Sequence, residues 1–232
     1  MRILGIESSS LVASVAVVMD GVVTAEYTVN FKKTHSQTLL PMLDQVAEMI
    51  DLDLNTIDAI AVSGGPGSFT GLRIGAATAK GLGLALEKPL IHVPTVDALA
   101  YNMWGYNGVV CPIMDARRNQ VYTGIYSLKN GFCPIMAQCP ADIKELAEKL
   151  NNLGEKAVFL GDGVPVYKDI LKAEMKAPYE FAPAHMNRQR AGAVAALGAV
   201  YYQEGKVESA AEHRPDYLRK SQAERERAGE EL

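Results

Sequence analysis

Apolar positions along the chain fall into short runs separated by glycine, proline and acidic residues, in an order that recurs. Residues 2–7 (RILGIE) and 13–19 (ASVAVVM) read as strands, and Asp20-Gly21 marks a tight hairpin into a third. From about Ser36 to Ile50 the period becomes helical: Leu39, Leu43, Val46 and Ile50 share one face, with Met42 and Met49 close to it. A further strand, DAIAVS, enters the turn Gly64-Gly65-Pro66-Gly67-Ser68-Phe69-Thr70 and a second helix, which Pro89 closes ahead of the strand LIHV. The order is βββαβα.

That order returns after residue 108. VVCPIMD is an apolar strand ending in an acid, QVYTGIYS a second strand, and Asn130-Gly131 the matching turn. A helix at about 141–151, the strand AVFLG, a second glycine turn (Gly161-Asp162-Gly163) and helical material from 165 complete the unit. Glu7 and Asp115 occupy equivalent places. Two generic α/β units alike by accident are the alternative, but the paired turns favour duplication. The expected architecture is a two-lobed α/β protein, with one lobe over 1–107, a second over 108–218 and a charged tail over 219–232. The run AGAVAALGAVYY, between Arg190 and Glu204, is too short to span a bilayer. It reads as a buried helix, placed to pack back across the lobe boundary.

The second helix is rich in glycine, each interior one costing about 1 kcal/mol relative to alanine. Gly71, Gly75, Ala79 and Gly83 recur every four residues, so on a helix they form one stripe almost without side chains. Such a stripe admits a close neighbour, either the chain's own sheet or another molecule. The first helix carries more apolar surface than one sheet contact needs. Together the two helices predict a partner interface at Leu39, Met42, Leu43, Val46, Ile50, Gly71, Gly75, Ala79 and Gly83.

Composition narrows the chemistry. A net charge of −4 gives no basic footprint of the kind nucleic-acid binders carry, so a role on RNA is expected to be shared with a partner. Cys111, Cys133 and Cys139 form no C-x-x-C pair and suit a reducing cytoplasm, while Glu7 and the serines after it interrupt any amino-terminal signal. His35, His92, His185 and His213 are scattered with no i, i+4 pair, so no metal centre and no cofactor is expected. Ser63 and Ser68 lack the flanking glycines of a nucleophile elbow. The glycine turn at the second helix is able to offer backbone N–H groups to a phosphate, but it fits neither G-x-x-x-x-G-K-[ST] nor G-x-G-x-x-G. Candidate nucleotide, phosphate or RNA contacts are Glu7, Ser8, Gly65, Gly67, Ser68, Asp115, Arg117 and Arg118. The default for the turn is a structural strand-to-helix link, and for the arginines a solvated hairpin edge.

The segments GIESSS, HSQTLLPML, SGGPGSFTGLRIG, MDARRNQVYTGIY and PDYLRKSQAE resemble the bacterial TsaB (YeaZ) family of the sugar kinase/Hsp70/actin (ASKHA) superfamily, over nearly the whole chain. The resemblance implies a ribonuclease H-like, two-lobed ASKHA fold. It also implies a non-catalytic subunit of the machinery that makes N6-threonylcarbamoyladenosine beside the tRNA anticodon. The implied partners are a TsaD-like transferase and a TsaE-like ATPase, with tRNA reached through the complex; the surface of the two helices is expected to make a homodimer when the partner is missing. Where the related transferase has a metal-binding His-x-x-x-His, this chain has Thr95 and Leu99. Glu7 and Asp115 stand where superfamily ATPases position magnesium, though Glu7 replaces the usual aspartate. The turn 161–165 lacks the transferase's adenosine loop. The alternatives are an ATP-dependent ASKHA enzyme and a protease of the glycoprotease type.

Overall fold

The computed structural model of the chain describes residues 1–218. Strand β1 (Arg2–Glu7) pairs antiparallel with β2 (Val12–Met19), and β2 with β3 (Val22–Asn30). The turn between them puts Asp20 and Gly21 at φ 48° and 83°, as a two-residue hairpin requires. Helix α1 (His35–Met49) carries the chain to β4 (Ala59–Gly65), parallel to β1, and α2 (Phe69–Leu86) carries it to β5 (Leu90–Pro94). Helix α3 (Thr95–Tyr101) follows. The sheet order is β3-β2-β1-β4-β5.

The second half repeats the plan with β6 (Val109–Asp115), β7 (Gln120–Ser127), β8 (Cys133–Asp142), α4 (Ile143–Leu153), β9 (Ala157–Leu160), α5 (Val164–Glu174) and β10 (Tyr179–Phe181). Its order, β8-β7-β6-β9-β10, is that of the first sheet element for element. Glu7 and Asp115 both end the first strand of their unit. The last helix, α6 (Ala191–Gln203), is the buried run that follows the duplicate.

Side chains alternate across each sheet, and helices cover both faces, which is why the strands read as unbroken apolar runs. Leu4 and Ile6 of β1 face α1 and α2, packing with Leu39, Leu43, Val46 and Ala79. Ile3, Ala61 and Val93 face the other way, onto Val194, Ala195 and Leu197 of α6. In the second sheet Val109, Cys111 and Ile113 meet α4 and α5, while Val110 and Met114 meet Val96 and Leu99 of α3. The helices are therefore crossed: α3 follows the first sheet but packs on the second, and α6 follows the second sheet but packs on the first. Gly5 permits the latter, since a Cβ there would lie only 2.9 Å from the Ala195 Cβ. Among the described residues no helix is long and apolar enough to cross a membrane. The charged tail expected over 219–232 lies outside the described residues.

Candidate functional site

The carboxyl ends of β1, β4, β6 and β9 converge on a cleft of about 680 Å³ between the two sheets, where ligands of open α/β sheets collect. Its walls include Ser9, Phe69, Asp115, Arg117, Asp162 and Tyr217.

Three carboxylates stand at these strand ends in different states. Glu7 is fully buried. Its Oε1 accepts from the Ser9 backbone N–H and the Ser9 hydroxyl, both at 2.6 Å, while Oε2 has no hydrogen-bond partner. Loss of hydration pushes its pKa up to about 7, against the pull of the Ser9 bonds and with a further push from Asp162. Asp162, in the turn after β9, is likewise held above the usual carboxylate range by burial, and its Oδ1 has no partner. Asp115 is exposed and wired as an acceptor: the Tyr167 hydroxyl donates to its Oδ1 at 2.7 Å, and the Arg117 N–H at 2.8 Å. A carboxyl with a pKa near 7 is suited to holding or passing a proton at neutral pH. Asp162 was not singled out from the sequence, although its place in a G-D-G turn directly after a strand is a usable signal.

The loop leaving β1 explains the glycines of α2. Ser8 Oγ donates to the Gly71 carbonyl at 2.9 Å, and the Ser68 N–H donates to the Ser9 carbonyl at 2.6 Å. A Cβ on Gly71 would run into the Ser8 carbonyl, one on Gly75 into Ser8 Oγ, and one on Gly67 into the Ser9 carbonyl. Gly83 is closed over by Leu90 and Ala210. The turn's amides are also engaged: Gly65 N–H donates to Thr95 Oγ1 at 3.2 Å and Gly71 N–H to the Ser68 cap at 3.3 Å. These bonds leave Ser68, Gly65 and Gly71 serving the strand-to-helix link rather than an open phosphate cradle.

The residues expected at a partner interface are turned inward. Leu39, Met42, Leu43 and Val46 are buried against the chain's own first sheet with Ile50 packed beside them, and Gly71, Gly75, Ala79 and Gly83 are buried as well. Elsewhere on the same helices large apolar side chains are left open to solvent. There Leu40, Met49 and Leu84 are 53%, 84% and 66% exposed. Helical period made the apolar face visible, but not which surface it meets.

Arg117, Arg118 and Asn119 all take positive φ (64°, 57° and 60°) in the β6–β7 turn. Three consecutive left-handed residues without a glycine are a strained backbone of the kind found at functional loops. Arg117 lines the cleft, and both arginines are exposed. Thr95 is buried on the Gly65 amide and Leu99 lies in the core, so neither has the chemistry of a metal ligand. Two of the histidines taken as scattered, His92 and His213, instead lie side by side with Glu208.

Comparison with known proteins agrees with this fold. A family model described as TsaD, tRNA N6-adenosine threonylcarbamoyltransferase, matches residues 23–227. The chain is 34% identical over 229 residues to the tRNA threonylcarbamoyladenosine biosynthesis protein TsaB of Bacillus subtilis, covering 97% of this chain and 96% of the relative. It is 30% identical over 235 residues to the protein of the same name from Escherichia coli, covering 100% of both. The solved structure of YeaZ from Pseudomonas aeruginosa superposes with a TM-score of 0.80 at 25% identity, covering 94% of this chain and 99% of that one. With full-length matches at this identity and the duplicated two-lobed architecture in place, the chain belongs to the TsaB (YeaZ) family, on an ASKHA-type fold.

Proposed function

We propose that the chain is a non-catalytic subunit in tRNA N6-threonylcarbamoyladenosine modification, working in the cytoplasm with a TsaD-like transferase and a TsaE-like ATPase and reaching tRNA through them. Its TsaB relatives support the pathway. The observation that carries the subunit role is the set of large apolar side chains that α1 and α2 leave in solvent, Leu40, Met49 and Leu84, each at least half exposed. Large apolar side chains left in water on two neighbouring helices suit a helix-on-helix docking face. The same surface serves a homodimer when the partner is missing, and the exposed Arg117 and Arg118 meet a carboxylate of the partner or a tRNA phosphate.

The test is the double variant Leu40→Asp, Leu84→Asp. Both sites are exposed, so the expected stability change is small. Copurification with a TsaD-like subunit is expected to be lost, and modification by a mixture containing that subunit and a TsaE-like ATPase to fall about tenfold or more. Parental binding and rate in a folded variant would move the interface elsewhere.

A second reading, an ATP-dependent ASKHA enzyme, draws on Glu7, Asp115 and Asp162 around the cleft, since carboxylates suit a magnesium–nucleotide. It expects magnesium-dependent nucleotide binding and steady turnover by the isolated chain, both abolished in Glu7→Gln or Asp115→Asn. The subunit reading expects no such turnover.

A further inference from the structure

Beyond α6 the chain turns back over the edge of the first sheet and is fastened there. Leu90 of β5 and Glu208 exchange both backbone hydrogen bonds at 2.9 Å, and the Asp216 N–H donates to the Gly64 carbonyl at 2.6 Å. Lys80 Nζ donates to the carbonyls of Ala211 and His213. Leu90 and His92, two apart on β5, point to the same side of the sheet. This strap thereby brings together His92, Glu208 and His213, with one donor atom of each within 4.8 Å of the other two.

The cluster is built into the fold rather than gathered on the surface. His213 is only 1% exposed; its Nδ1 lies 2.6 Å from Glu208 Oε1 and its Nε2 has no hydrogen-bond partner. His92 Nε2 is also buried without a hydrogen bond, since Asp216 Oδ2, at ion-pair distance of 3.1 Å, is off the hydrogen-bonding direction. Two buried imidazole nitrogens without hydrogen bonds are costly, and native interiors seldom leave them so. The His92 ring lies directly over Gly64, where any Cβ would strike it. A hollow of about 360 Å³, bounded by His92, Tyr201, Lys206 and Glu208, opens the cluster to solvent. The nearby cations are engaged: Lys80 on its two carbonyls, and Lys206 with Glu204 at 2.6 Å.

We propose that His92, His213 and Glu208, with Asp216 as fourth donor, form a binding site for a divalent transition-metal ion of the zinc class. Two imidazole nitrogens with two carboxylates suit zinc and its neighbours, whereas magnesium and calcium prefer oxygen alone. Bonds of about 2.0–2.2 Å require the donors to draw in from their present spacing. Asp216 and Glu208, partly exposed, are the side chains able to do so, Glu208 by leaving His213 Nδ1. The strap runs on into Asp216, Tyr217 and Leu218, which line the cleft, so a bound ion clamps one cleft wall to the first sheet. The site uses neither Thr95 nor Leu99 and is independent of the subunit reading.

The test adds zinc chloride to the metal-stripped full chain, against a competing chromophoric chelator. One ion per chain is expected, with a Kd of about 1 μM or tighter, and cobalt(II) is expected to give the visible absorption of a four-coordinate site. At a hundredfold excess over Kd, Tm is expected to rise by about 5 °C. His92→Gln and His213→Gln are each expected to weaken binding about 100-fold, and His185→Gln, remote on an exposed loop, to leave it unchanged. If His213→Gln does not fold, His92→Gln and Asp216→Asn, at partly exposed positions, decide. No stoichiometric binding by about 100 μM zinc, or parental affinity in His92→Gln, overturns the proposal.

Discussion

The two halves of the molecule share a strand order and part company where their first strands end. In the first, β1 runs into Ser8 and Ser9, which fold back onto the glycine face of an eighteen-residue α2 and shut Glu7 away from water. In the second, β6 runs into the arginine turn, which swings out, leaving Asp115 in solvent under the Tyr167 hydroxyl at the start of an eleven-residue α5. The same topology therefore presents one acid sealed from water, whose pKa burial raises, and another held at the surface by a tyrosine hydroxyl and a backbone N–H. Duplication supplies the frame, and the loop after the first strand decides how wet each acid is.

Glycine packing is the largest difference to break. Gly75→Leu drives a side chain into Ser8 Oγ and is expected to cost about 3 kcal/mol. Gly163, at the start of α5 in the second half, is less tight: a Cβ there meets the Ile113 carbonyl at 2.9 Å, and Gly163→Ala is expected to cost about 1 kcal/mol. Denaturant unfolding of the two variants side by side checks the ranking. Equal losses would mean that the seat of the β1 loop on α2 is not special.

The acids give the next effect, and its sign follows from linkage. Folding raises the Glu7 pKa to about 7, so the folded chain binds the proton more tightly than the unfolded one. That stability is fully present below the ordinary glutamate value and is lost as pH rises through 7, by about 3 kcal/mol in all. Glu7→Gln is expected to remove this loss, leaving the variant more stable than the parent at pH 8 and not at pH 4. Unfolding free energies across that range test it, and an unchanged pH slope would refute the buried-acid account.

Smallest is the single hydroxyl beneath Asp115. Tyr167→Phe removes its bonds to Asp115 Oδ1 and the Gln120 carbonyl, at 2.7 and 3.2 Å, and is expected to cost about 1 kcal/mol. Chemical denaturation of this variant measures how firmly the second acid is held.

Periodicity and turn chemistry are local properties, so the chain's linear order already determined most of its elements: the three-strand starts, the Asp20-Gly21 turn, the helix beginning near Ser36, and the recurrence after residue 108 that became two sheets of one order. Pieces too short to carry a period were not legible, namely the seven residues of α3 and the three of β10. Tertiary structure alone decided whatever depends on segments remote in sequence. It turned the Gly71–Gly83 stripe onto Ser8 and Leu90 rather than onto a partner, because a bare helix face accepts whichever backbone comes closest. It crossed α3 and α6 between the sheets, and it set His213 against His92 by pairing Glu208 with Leu90. It also raised Glu7 by removing its water. Desolvation and long-range contact leave no local pattern in a sequence, so these features exist only once the chain has closed on itself.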